Sequence, residues 1–365
     1  MSDNPLNLPA AGASRWREVV ETPAVLIDLD IVERNIRRCQ DQCDRLGVAI
    51  RPHIKTHKLP LLARAQLAAG AIGITAQKIG EAEVMADEGI DDILITFNIV
   101  GDRKLERLRR LAERCRLSVV ADSASVIEGL ARAFANARSE VGVLVECDTG
   151  MRRCGVLTPE DALQLAQLIA DSPGLRFAGV MTYPAPGQGN AACEWLDDAA
   201  RLIRAAGIET QTVSSGGTPD LYAMKRHASL TEYRPGSYIY NDRSVVTAGA
   251  CGVDDCALTV LTTVISAPAH GRAIIDAGTK VLTSDLFGMS GYGMILERPD
   301  CSVISLNEEH GRIEYTGDLA PFVGELLRIV PNHACVVSNM VDSVHLVRGE
   351  NYVRAEPVAA RGRTT

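Results

Sequence analysis

From Thr22 onward, short apolar runs alternate with stretches of helical spacing, and that rhythm is the first thing the chain offers. Thr22-Pro-Ala-Val-Leu-Ile-Asp-Leu-Asp30 reads as a strand, and 31–46 as a helix with Asp30 as its N-cap. Eight further strand-like runs follow at 49–56, 73–77, 92–98, 117–122, 141–148, 177–183, 211–215 and 232–240. Helical patterns separate them at 58–69, 78–88, 102–114, 123–138, 159–172, 191–206 and 219–225. This alternation predicts an α/β fold, a parallel (β/α)8 TIM-type barrel with right-handed crossovers. The strand at 24–28 is surplus to the eight and is assigned to a second layer shared with the C-terminal part.

Past Val246 the helical pattern stops, and β-rich runs take over at 257–265, 272–276, 302–305, 312–315, 326–330 and 344–348. The predicted organisation is therefore a segment 1–30 packing with the β domain, a barrel over 31–245, and a C-terminal β domain over 246–365. The basic tail 360–365 reads as frayed.

With 365 residues the chain exceeds one small core, and 46% hydrophobic with 23% charged residues excludes a disordered protein. A formal net charge of -8 argues against nucleic-acid binding and leaves small-molecule chemistry. Met1-Ser-Asp-Asn-Pro-Leu6 has no basic or apolar leader region and no run is long enough to cross a bilayer, so the reading is cytoplasmic, with no membrane partner. Ten cysteines without tight paired spacing read as thiols, most of them small core residues.

Candidate chemistry concentrates at the carboxyl ends of the predicted barrel strands, where this architecture places active sites. Strand one carries Arg51-Pro-His-Ile-Lys-Thr-His-Lys58, and period two puts His53, Lys55 and His57 on one face. Crowded positive charge and partial burial favour the neutral amine that a Schiff base requires, so Lys55 is the candidate nucleophile; a basic anion-binding edge is the competing reading. Gln77 ends strand two, Tyr183 strand six, and Ser215-Gly-Gly-Thr218 follows strand seven. Two glycines between hydroxyls, with Pro219 opening the next segment, form a compact anion nest, although a Gly-Gly turn alone is ordinary. A lysine after strand one and a phosphate cradle after strand seven together suggest pyridoxal phosphate.

Pro52-His-Ile-Lys-Thr-His-Lys58, Arg153-Cys-Gly155, Ser215-Gly-Gly-Thr218, Arg234-Pro-Gly-Ser-Tyr238, Glu309-His-Gly311 and Pro331-Asn-His-Ala-Cys335 form an ordered set. It resembles the D-threonine aldolase and D-serine dehydratase group, fold type III pyridoxal-phosphate enzymes related to alanine racemase. The resemblance implies that Lys55 holds the cofactor, that Arg153 stands near its O3′, and that Gln77 and Tyr183 line its ring. It implies that Ser215, Gly216, Gly217, Thr218 and Tyr238 hold the phosphate or the ring edge. His333 and Cys335 correspond to ligands of a divalent metal, zinc favoured with manganese or magnesium as alternatives. On a strand, positions i and i+2 face the same way, which lets the two converge; a core cysteine beside a satisfied histidine is the plainer reading.

The implied activity is lyase chemistry on a β-hydroxy D-amino acid, in a homodimer, with Lys55, Tyr183 and His57 as the catalytic candidates. His53 and His57 also read simply as hydrogen-bonded strand residues, and His310 receives no role. His-Ala-Cys favours D-serine dehydratase-type β-elimination, and Tyr183-Pro184 stands where some aldolases have a histidine. Retro-aldol cleavage to glycine and an aldehyde is the alternative, and amino-acid racemisation, which needs no metal, a further one.

Overall fold

The computed structural model describes residues 4–8 and 14–365. Residues 1–3 and 9–13, on which part of the reading of segment 1–30 rests, lie outside the described residues. The chain divides into two compact units. One comprises Arg38–Lys55, Pro60–Gly236 and Arg363–Thr365; the other comprises residues up to Arg37 with Thr56–Leu59 and Ser237–Gly362.

The first unit is the barrel. Its eight strands run in the order Ala49–Ile50, Glu232–Tyr233, Thr212–Ser215, Leu175–Thr182, Val141–Cys147, Arg116–Ala121, Asp92–Asn98 and Ile74–Ala76, every neighbouring pair parallel. A parallel bridge between His53 and Thr75 joins the first strand to the last and closes the ring. Parallel strands covered on both faces need continuous apolar runs, and Val141–Cys147 is buried at every residue. Leu94, Val120, Leu144, Ala178 and Met181 pack together across neighbouring strands as the barrel's inner layer. The helices Pro60–Ala68, Ile79–Asp87, Asp102–Ala112, Ala124–Phe134, Pro159–Ala170 and Gly189–Ala205 lie between the strands in sequence, as the spacing predicts.

Three local expectations are corrected. The helix Leu29–Leu46 begins earlier than predicted, because Asp28, not Asp30, caps it: Asp28 Oδ1 accepts from the amides of Asp30 (2.9 Å) and Ile31 (3.4 Å). Residues 219–225 form turns rather than a helix, held by short-range bonds from Leu221 N to Thr218 O and from Ala223 N to Asp220 O; a segment this short nucleates a helix poorly. The tail is not frayed. Ala360 is buried, and in the barrel unit the Gly80 amide donates to Thr365 O at 2.9 Å.

The second unit is built on a nine-stranded sheet. Its main path runs Cys301–Leu306, Gly311–Tyr315, Arg272–Ile275, Leu258–Ala269, Ala24–Asp28, Ser343–Arg348 and Asn351–Pro357; Leu326–Val330 also pairs with Leu258–Ala269 and carries Met294–Ile295. The surplus strand thus lies in its middle, antiparallel to Leu258–Ala269 and parallel to Ser343–Arg348. Trp16, Val20, Ala24, Leu26, Leu261 and Val347 pack around it as a core, and the Trp16 indole N–H donates to Gly349 O at 3.1 Å. Among the described residues, no helix is long and apolar enough to cross a membrane.

Candidate active site

The lysine run departs from the predicted strand. The strand ends at Ile50, Ile54–Thr56 forms a 3-10 turn, and Lys58 takes a left-handed φ of 58°. Period two therefore does not order His53, Lys55 and His57: the first two belong to the barrel unit, His57 to the other. Pro52, with no N–H to donate to a ladder, is the local reason the strand gives way.

In the barrel unit, His53 Nδ1 accepts from the Lys55 amide (3.3 Å), which assigns the proton to Nε2, and Nε2 bonds Gln77 Oε1 at 3.0 Å. Gln77 Nε2 in turn donates to Thr96 O at 2.9 Å, so the ends of the first three strands in chain order are tied together. Lys55 Nζ lies 5.8 Å from the centroid of the Tyr183 ring, and Arg153 Cζ lies 5.3 Å from the same centroid. Two cations thus face one aromatic ring just past strand six. Glu146 is buried on strand five; burial pushes its carboxyl up, and the Arg153 guanidinium opposes that rise.

The loop after strand seven is tight where it meets the barrel and open beyond. A Cβ on Gly216 would sit 2.6 Å from Arg234 N, whereas around Gly217 the nearest atoms are Tyr183 Cε2 at 3.9 Å and Pro219 Cδ at 4.0 Å. Tyr233 Oη donates to Gly217 O at 2.9 Å, while the Gly217 amide donates to no backbone carbonyl among the described residues. Ser215 Oγ is buried without a hydrogen-bond partner among the described residues and lies beside the Cys193 sulfur. Gly216→Ala should lower the melting temperature and weaken cofactor binding, because the added methyl meets backbone that cannot yield; overpacking of this kind costs about 1–3 kcal/mol. An unchanged thermal melt would show that the loop relaxes around it.

In the second unit, His333 and Cys335 do not lie on a strand. His333 is the N-cap of the helix Ala334–Met340, and Cys335 sits in its first turn. The two side chains nonetheless meet, the cysteine sulfur hydrogen-bonding with the imidazole. His333 Nδ1 bonds Asp242 Oδ2 at 2.9 Å, and the same oxygen accepts from Ala334 N at 2.9 Å. Asp242 is fully buried; burial raises its carboxyl, but bonds from His333, Ser244 and Ala334 outweigh it and hold the group below the usual carboxylate range. Burial likewise disfavours the imidazolium, yet the Cys335 sulfur and Asp242 push His333 up to about 10.

Around this pair, Thr56 Oγ1 lies 3.2 Å from Cys335 Sγ, and Phe287 packs on the imidazole with centroids 4.7 Å apart. Thr56 directly follows Lys55 in the chain. Tyr240 is buried with its hydroxyl unpartnered among the described residues; its ring meets His57 edge-on at 6.4 Å, and His57 Nδ1 accepts from Leu59 N at 3.0 Å. Tyr238 is buried in the short turn Ser237–Ile239 of this unit, and His310 is exposed in the hairpin between Cys301–Leu306 and Gly311–Tyr315.

The alanine racemase N-terminal domain family matches residues 27–244, and the serine dehydratase domain family matches 257–347. A D-threonine aldolase of Arthrobacter sp is 36% identical over 361 residues, covering 94% of this chain and 93% of its own. A D-threo-3-hydroxyaspartate dehydratase of Delftia sp. strain HT23 is 35% identical over 348 residues, covering 87% and 91%. The crystal structure of D-threonine aldolase from Filomicrobium marinum superposes with a TM-score of 0.87 at 34% identity, over 99% of this chain and 100% of its own. This chain belongs to the D-threonine aldolase and D-serine dehydratase family.

Members of this family are fold type III pyridoxal-phosphate lyases, and the barrel-unit residues fit that cofactor. An open glycine, an amide without a backbone acceptor and a buried serine hydroxyl are groups that could hold a phosphate, on the same unit as Lys55, Tyr183 and Arg153. His333 and Cys335 are a histidine nitrogen and a thiol of the kind zinc takes; with Nδ1 held by Asp242, Nε2 is the nitrogen left for a metal. The described residues contain no group of three or more His, Cys, Asp or Glu side chains that could hold a metal ion. Asp242 escaped the sequence reading because 91 residues separate it from His333. Its one local signal was its place as N-cap of Arg243–Thr247, where it accepts from Val245 N.

Proposed function

We propose that the chain is a pyridoxal-phosphate- and divalent-metal-dependent lyase that eliminates water from a β-hydroxy D-amino acid, in the manner of D-serine dehydratase. The observation that carries the preference for elimination is the His333-x-Cys335 pair. D-threo-3-hydroxyaspartate dehydratase has been solved as a histidine-to-alanine variant and, two positions on, as a cysteine-to-alanine variant in a metal-free form. That spacing of histidine and cysteine is the spacing in this chain.

The cofactor supplies an electron sink for charge that develops at the substrate's Cα, and a metal supplies a Lewis acid for a substrate oxygen. Lys55 Nζ would hold the cofactor and, as a free amine, would take the proton from the substrate's Cα. His53, fixed between the Lys55 amide and Gln77, anchors the backbone that carries the lysine. Arg153 and Tyr183 would orient the ring, and Ser215 to Thr218 would hold the phosphate. His333 and Cys335 would hold the metal, whose Lewis acidity would help the substrate's β-hydroxyl leave as hydroxide. The resulting enamine tautomerises and hydrolyses to a 2-oxo acid and ammonia.

Retro-aldol cleavage is the second reading, favoured by the Arthrobacter relative's name. The two reactions differ at one atom. Elimination must give the Cα hydrogen to solvent, whereas retro-aldol cleavage breaks Cα–Cβ and leaves that hydrogen in the glycine formed. With Cα-deuterated D-serine, D-threonine or 3-hydroxy-D-aspartate, we expect ammonia and a 2-oxo acid with deuterium released. Glycine that retains its deuterium, together with an aldehyde, would establish the second reading; interconversion of enantiomers without cleavage would overturn both.

A further inference from the structure

The barrel's amino-terminal end is lined in a way that the chemistry at the opposite end does not use. Barrel interiors of this architecture are filled by layers of branched apolar residues, and the middle layer here obeys that rule with Leu94, Val120, Leu144, Ala178 and Met181. One step nearer the amino ends of the strands, the inward positions turn polar: Asp92, Arg116, Ser118, Gly142 and Arg176 alternate with that layer along their strands. A polar cavity of about 110 Å3 lies there, with Arg51 and Glu232 completing its wall.

The charges in this wall do not cancel. Arg51 pairs with Glu232 (2.7 Å) and with Asp92 (2.6 Å), and Arg116 pairs with Asp92 as well. Glu232 also accepts from Ser214 Oγ at 2.6 Å. Arg176 makes no ion pair or hydrogen bond among the described residues, so three guanidinium groups face two carboxylates. Ser118, Gly142 and Arg176 stand in register on three neighbouring strands. A Cβ on Gly142 would fall 2.5 Å from Ser118 Oγ and 2.9 Å from Arg176 Nη2, so the absent side chain is what lets a hydroxyl and an uncompensated guanidinium converge.

We propose that this cavity binds a small oxyanion, held by the Arg176 guanidinium and the Ser118 hydroxyl. A fork of N–H donors with no carboxylate partner, at a mouth open to solvent, suits a phosphate or carboxylate oxygen pair. The site is separate from the phosphate cradle at Ser215 to Thr218, which belongs to the other end of the strands.

The test uses the holoenzyme, in which the cofactor already fills the cradle. Inorganic phosphate, and separately acetate, is titrated against chloride at constant ionic strength while thermal melting is followed. At least one anion should raise the melting temperature saturably, phosphate alone marking a tetrahedral ligand and acetate a carboxylate. Arg176→Gln should weaken the half-saturation about tenfold or more, Ser118→Ala by a smaller factor, and Arg176→Lys should restore part of the response, with turnover in chloride unchanged throughout. Absence of a saturable rise with either anion, or an unchanged half-saturation in Arg176→Gln, overturns the proposal; should that variant fail to fold, an unchanged half-saturation in both Ser118→Ala and Arg176→Lys overturns it.

Discussion

Replacing Lys55 with alanine is expected to lower turnover by about 10⁴-fold or more, because in the proposed mechanism one amine both anchors the cofactor and moves the Cα proton. Borohydride reduction of the parent protein should fix the pyridoxyl group on the peptide containing Lys55, and the variant should lose that trapping while still binding the cofactor at the glycine loop. The competing lysines are distinguishable by their surroundings. Lys58 is buried at a left-handed backbone position in the second unit, and Lys280 is exposed and paired with Glu309. Lys55, by contrast, is half-buried beside Tyr183 on the unit that carries the Ser215 to Thr218 loop. Peptide mapping that finds the label on Lys58 or Lys280 would displace Lys55 from its role.

The barrel was legible because its physics writes itself into contiguous residues. A strand buried on both faces is apolar over most of its length, so the eight runs could be located, Val141–Cys147 most plainly, although the first and last shrink to Ala49–Ile50 and Glu232–Tyr233. The edge strand Asn351–Pro357 was missed for the converse reason: it carries Arg354 and Glu356, exposes most of its length and shows no long apolar run. The candidate site was legible residue by residue but not in its geometry. Around Lys55 and around Cys335, alternation along a strand was the expected principle, and in both places a helical turn decides instead. Nor can local patterns reveal contacts between distant positions, such as His333 with Asp242 or Thr56 with Cys335.

The carboxylate of Asp242 leads to the other large expected effect. Its Oδ2 accepts from His333 Nδ1 and Ala334 N, while its Oδ1 accepts from Val245 N and Ser244 Oγ. Asp242→Asn cannot preserve this set, since an amide nitrogen must replace one of two oxygens that each face donors. If it turns toward His333, the imidazole must move its proton to Nε2 and so blocks the nitrogen left for a metal. If it turns the other way, the cap of Arg243–Thr247 is lost. We therefore expect metal affinity to fall about 10–100-fold, read by chelator competition and by the thiolate-to-cobalt absorption of the cobalt-substituted protein. The cofactor's own absorbance should stay unchanged, which separates loss of the metal from loss of the fold. Removing the metal from the parent protein with a chelator should abolish cleavage, and adding zinc or manganese should restore it. Full activity without a bound metal would remove His333 and Cys335 from the chemistry and raise the metal-free racemase reading in its place, whereas unchanged affinity in Asp242→Asn would spare the metal and release only the carboxylate from its orienting role.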